Sequence, residues 1–215
     1  MMNMKYKTGK RLSFFILGSL LLSITALICL TRYYETLDAL FEGMLPSTYV
    51  VVVLFVWQHT GLTWCVGNKC LGSPSIFFRS MFYWLAATVL IHFIAILFGA
   101  PFLDAVKETF HFAMLVSVTA VLPGLCILGT SNKQWTQVFV QHIVNDGSQI
   151  LCHSVGIASP LGAWFGAFPI PLDWDRPWQR WPRSCLIGCL AGYTFGLIVS
   201  LLRIRYHKPG FLKDH

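Results

Sequence analysis

The chain has 215 residues, of which 55% are hydrophobic and only 12% charged, and its mean hydropathy is +0.62. Too few polar residues remain to cover a water-soluble surface, which excludes a soluble globular domain. The formal net charge of +7 would suggest a nucleic-acid partner in a soluble protein, but here the Lys and Arg flank apolar runs, so they orient a membrane protein and no nucleic-acid partner is expected.

The first apolar run, Leu12 to Leu30, carries no charge. As a helix it is long enough to cross the ~30 Å hydrocarbon core. A cleaved signal peptide would have a shorter apolar core of ~7–15 residues and a small-residue cleavage site. None follows before Tyr33 and Tyr34, so an uncleaved signal-anchor is expected. Further runs follow at roughly 47–66, 81–99, 109–128, 150–168 and 184–202. The pattern predicts an all-α integral membrane protein, a single polytopic domain over 1–215 built as a bundle of about six transmembrane helices. An even number of spans puts both termini on one side. The basic residues of that side (Lys5, Lys7, Lys10, Arg11, Lys69, Arg79, Lys133, Arg203, Arg205, Lys208, Lys213) outnumber those of the other (Arg32, Lys107, Arg176, Arg180, Arg183). Both termini are therefore expected in the cytosol.

The seven cysteines lie inside or at the ends of the runs and read as small buried hydrophobes. Cys185 and Cys189 share a helix face, but packing explains them better than a metal or redox pair. His59, His92, His111 and His153 fall on four different spans with no acidic residue at the centre of any, so neutral, hydrogen-bonded imidazoles are expected rather than a relay. There is no HExxH, GxSxG or P-loop, hence no catalytic residue, metal set or cofactor is assigned.

In the fourth span Pro123 and Gly124 should interrupt the helix. Beyond it, Trp135, Val138, Phe139, His142 and Ile143 recur at helical spacing, predicting a short interfacial helix on the cytosolic face. Gly162 and Gly166 in the fifth span, and Gly188, Gly192 and Gly196 in the sixth, form small-residue faces. These serve either to pack the fifth span on the sixth or to hold another protein's helix. The loop over 169–183 differs in kind from the others. Pro169, Pro171, Pro177 and Pro182 forbid a continuous helix, and Trp174, Trp178 and Trp181 anchor a stiff segment at the non-cytosolic face. Asp173 and Asp175 would project to one side of an extended stretch, to pair with Arg176 and Arg180 or to meet a partner or a lipid headgroup. Two carboxylates alone make a poor metal site.

The run PIPLDWDRPWQRWP (169–182) is preceded by Gly162-Ala-Trp-Phe-Gly166 and followed by Gly188 and Gly192. Together with FGAPFLDAVKETFHFA (98–113) and PGLCILG (123–129), it closely resembles the PIG-F family of phosphatidylinositol-glycan biosynthesis. The resemblance covers about Phe98 to Leu202, and the first three spans carry no matching motif. It implies a non-catalytic stabilising subunit, in the endoplasmic-reticulum membrane, of the class O and class G ethanolamine phosphate transferases. Those enzymes move phosphoethanolamine from phosphatidylethanolamine onto mannoses of the GPI precursor. Partner or lipid contact is then expected at Pro171, Leu172, Asp173, Trp174, Asp175, Arg176, Pro177, Trp178, Trp181 and Pro182, on a lumenal loop. The competing readings are a lipid phosphotransferase using Asp173 or Asp175 as metal ligand or general base, and a small lipid transporter using the intramembrane histidines.

Overall fold

The computed structural model describes residues 2–32, 46–66, 74–172 and 176–206. Within them lie six helices long and apolar enough to cross a membrane, and no strand. These are α1 (Met2–Arg32), α2 (Pro46–Val66), α3 (Pro74–Leu97), α4 (Val106–Leu128), α5 (Gly147–Ala167) and α6 (Arg183–Tyr206). Several helices start before their apolar runs. α2 and α3 each begin on a proline, Pro46 and Pro74, where a missing N–H costs nothing because the first turn has no acceptor for it. α5 begins at a cap: the Asp146 carboxylate accepts from the Gln149 N–H at 2.8 Å, and Gln149 Oε1 accepts from the Asn145 N–H at 2.7 Å.

The bundle is organised around α4, whose most apolar stretch is 78% buried against 22% for that of α3. α4 touches α2, α3, α5 and α6, and α1 closes the other side against α2 and α6. The perimeter is apolar: Phe14, Leu21, Phe82 and Leu90 all point outward. Polar side chains are turned inward, with Ser19, Gln58, Thr88, Ser117 and Thr119 fully buried. This inversion is what a lipid solvent demands, because a hydroxyl or amide facing hydrocarbon has no partner. Several of these groups bond between helices: Trp57 Nε1 donates to Ser19 Oγ at 2.9 Å, Gln58 Nε2 to the Tyr193 hydroxyl at 3.2 Å, and Thr88 and Ser117 share a 2.7 Å bond.

The interruption of α4 takes the form of a π-helical turn over Ser117–Val121, just ahead of Pro123. The ring of Pro123 cannot sit against the carbonyl of Thr119, and the wider turn relieves that clash while the helix continues. The interfacial helix is shorter than the periodicity suggests. It runs over Asn132–Trp135, continues as a π turn over Thr136–Val140, and ends before His142, which has φ 57°. Trp135 and Val138 pack against the bundle, whereas Ile143 lies beyond the helix and is exposed. The left-handed backbone at His142 takes the last two positions off the helical face.

α5 and α6 form the closest pair. They run antiparallel, Gly166 opposite Ser184 and Cys185, Gly162 opposite Gly188 and Gly192, and Gly196 opposite Ser154 and Val155. A Cβ added at Gly192 would lie 2.9 Å from the Gly162 Cα, closer than real side chains come. The glycines let main chains touch, which supplies the dispersion contacts that apolar side chains cannot supply against lipid. At the end that carries the termini, the start of α5 sits between α1 and α6: a Cβ at Gly147 would meet Leu12 at 3.1 Å and Ile204 at 3.4 Å.

Gly192→Ala should cost about 1–3 kcal/mol by overpacking, and Gly192→Leu should prevent α5 and α6 from docking. Size-exclusion profiles and thermal melts of the detergent-solubilised protein would check this, with Leu21→Ala as a useful contrast because its side chain points out of the bundle.

Candidate functional site

Two regions emerge from this frame. The first is the proline- and tryptophan-rich segment between α5 and α6, at the end of the bundle opposite the termini. After α5 the chain turns through Pro171 and Leu172, both exposed. Asp173, Trp174 and Asp175, where paired carboxylates were expected, lie outside the described residues. The chain resumes at Arg176, makes a 3-10 turn over Pro177–Gln179, and enters α6 through buried Pro182, whose bond to Trp181 is cis.

A residue that sequence reasoning did not single out, Gln179, holds this segment together. Its side chain is buried. Nε2 donates to the Pro169 carbonyl at 2.8 Å and also to the Leu172 carbonyl, while Oε1 accepts from the Arg176 N–H at 2.9 Å. One amide thus ties the exit of α5 to the turn before α6. Only a side chain with both donor and acceptor atoms can do this, so glutamine is required and a carboxylate would not serve.

Trp181 anchors the segment to the bundle. Its indole N–H donates to Thr109 Oγ1 at 3.0 Å, and its ring meets Phe112 edge-on at 5.2 Å. Thr109 in turn donates to the Ala105 carbonyl at 2.8 Å, so the hydroxyl is fully used. The segments 98–113 and 169–182, which lie far apart in the chain, are joined here. Trp178, by contrast, is 41% exposed, and Phe102, Leu103 and Phe168 extend the same end of the bundle with exposed apolar side chains.

The second region is the outer face of the α5–α6 pair. The glycines form the floor of a groove of ≈ 680 Å³, walled by Ile157, Leu161 and Phe165 on one side and by Phe195 and Val199 on the other. Gly162, Gly166, Gly188, Gly192 and Gly196 therefore both bring α5 against α6 and leave an open furrow above the contact.

The intramembrane histidines stay apart, with one exception. His111 Nδ1 bonds the Lys107 carbonyl within its own helix at 2.6 Å, and His92 packs edge-on against Phe110. His153 is joined by His142, their rings 5.4 Å apart. Among the described residues no three His, Cys, Asp or Glu side chains come together as a metal site would require. Cys185 and Cys189 are buried free thiols, Cys189 lying 3.5 Å from Thr119 Oγ1.

Gln179→Ala should take the side-chain donor from the Leu172 carbonyl and the acceptor from the Arg176 N–H, while the Pro169 carbonyl keeps the Leu172 N–H, and should cost about 1 kcal/mol; Gln179→Glu should be worse because a carboxylate would face both carbonyls. Limited proteolysis between α5 and α6, with a thermal melt in parallel, would register the loosening.

A family model described as GPI biosynthesis protein family Pig-F matches residues 14–201, and so includes the first three spans, where no motif was read. The human "GPI ethanolamine phosphate transferase, stabilizing subunit" is 41% identical over 168 residues, which is 78% of this chain and 75% of that protein. The mouse protein of the same name is 44% identical over 124 residues, 58% of this chain and 57% of its own length. A Schizosaccharomyces pombe "PIGF/3-ketodihydrosphingosine reductase fusion protein" is 36% identical over 185 residues, 85% of this chain and 36% of the fusion. No solved structure matches the chain. With the match running from the first span to the last, the chain belongs to the Pig-F family of GPI biosynthesis proteins.

Proposed function

We propose that this protein is a non-catalytic stabilising subunit of GPI ethanolamine phosphate transferases, resident in the endoplasmic-reticulum membrane, and that it serves both the class O and the class G enzyme. Both termini face the cytosol on this reading, by the excess of Lys and Arg at their end of the bundle, and the tryptophan loop faces the lumen. The observation that carries the reading is the loop itself. Gln179 ties Pro169 and Leu172 to Arg176 and Trp181 fastens the segment to α4, while Leu172, Trp178, Phe102 and Leu103 leave exposed apolar side chains at the same end of the bundle. An apolar edge tied down at both ends loses less entropy when a partner binds. The names of the human and mouse relatives support the same role.

The contact surface on this reading includes Pro171, Leu172, Asp173, Trp174, Asp175, Arg176, Pro177 and Trp178, with Trp181 and Pro182 behind them as supports. The test is affinity purification of the tagged full chain from gently solubilised membranes, with partner identification and an assay for phosphoethanolamine transfer. Recovery of a large transferase is expected, with activity that vanishes when the transferase's own active site is disabled. Leu172→Asp with Trp178→Ala should lower the recovered partner about tenfold or more, the effect of losing one apolar anchor or better. A chain that purifies alone and transfers the group by itself would overturn the proposal.

A further inference from the structure

The α5–α6 groove is apolar along its length and polar at one end only. Its polar mouth lies at the end of the bundle that carries the termini, where Arg203 of α6 meets His153 and Ser154 of α5. A long cationic side chain at a helix end ordinarily extends outward to water. Arg205 does so and is exposed. Arg203 is half-buried instead, with Nη1 3.4 Å from His153 Nδ1 and 3.4 Å from Ser154 Oγ.

The hydrogen-bond directions at this mouth are determined by chemistry. A guanidinium only donates, so His153 Nδ1 accepts from it and His153 Nε2 carries the proton. That N–H donates to His142 Nδ1 at 3.1 Å, which leaves His142 Nε2–H as a further donor on an exposed ring. Among the described residues that meet at the mouth, every group left over is therefore a donor. Asp146, the carboxylate described at this end, lies outside the groove lining, accepts the Gln149 N–H and the Ser148 hydroxyl at Oδ1, and forms no ion pair with Arg203 among the described residues.

A half-buried cation with surplus donors, opening on an apolar furrow, matches a molecule that is anionic at one end and hydrocarbon for the rest. From Ser154 to Gly166 the furrow extends about 18 Å at 1.5 Å per residue. That is close to the ~15 Å of hydrocarbon in one leaflet. We infer that the α5–α6 groove holds an anionic glycerophospholipid, its phosphodiester on Arg203 and His142 and an acyl chain lying over Gly192 and Gly188 between Phe165 and Phe195. A partner's transmembrane helix fits less well, because it would leave the donors at the mouth unanswered unless it carried a carboxylate at that one depth.

The test uses the purified full chain in phosphatidylcholine nanodiscs doped with phosphatidylinositol, with retained lipid counted by native mass spectrometry. One phosphatidylinositol per chain is expected. Arg203→Gln should weaken retention about tenfold or more, the value of a charge-assisted hydrogen bond, while Arg203→Lys keeps most of it and Arg205→Gln changes nothing. Ala191→Phe should fill the furrow and lower retention with all charges intact, which separates lipid loss from any misfolding of the Arg203 variant. Excess inorganic phosphate should not displace the lipid. Displacement by phosphate, equal retention in Arg203→Gln and Ala191→Phe, or a photocrosslinker at Val199 that captures a protein segment instead of lipid in native membranes would each overturn the inference.

Discussion

The contact between the backbones of α5 and α6 is the constraint on which most of the molecule depends. In water two helices associate because their apolar faces leave the solvent, but in lipid that gain is absent and only shape remains. Gly162, Gly188 and Gly192 meet this requirement by bringing main chain against main chain. The pair then presents a fixed surface on which α1 and α4 rest, and it brings the two ends of the loop between them close enough for one side chain to span.

That spanning side chain is Gln179, and its effect is local but decisive. The segment between α5 and α6 carries turn carbonyls outside any helix ladder, and these find donors within the protein. A single amide supplies them to Pro169 and Leu172, and Trp181 then fastens the loop to the start of α4 through Thr109. Rigidity at this end comes from hydrogen bonds, whereas rigidity in the middle of the bundle comes from packing. Trp178, 41% exposed, and the furrow above the glycines both face outward.

The interior adds a second layer of specification. Gln58 with Tyr193, Trp57 with Ser19, and Thr194 with Ser23 each join helices that are distant in sequence. Each such bond is worth little, about 0.6 kcal/mol in a membrane, because a partly assembled bundle also finds partners for its polar groups. Their value lies in choosing among rotations of similar energy, since a helix turned by one residue would point a hydroxyl into hydrocarbon.

Hydropathy alone identified the six spans, because an apolar run of membrane length has few other uses and is read along one dimension. The glycine series and the Trp–Pro loop were equally visible, each being a local pattern with a local physical reason. Other features were decided only in three dimensions. Gln179 sits among more conspicuous residues, and its partners lie ten and seven positions away through a turn. The π turn before Pro123 and the left-handed His142 that ends the interfacial helix depend on how the neighbouring elements fill space, which helical periodicity does not report. Arg203, His153 and His142 sit on three different segments, and Arg203 looked like a plain orienting charge. Their convergence depends on the register of α5 against α6, which is set by main chains packing at glycines and is fixed only once the bundle has closed.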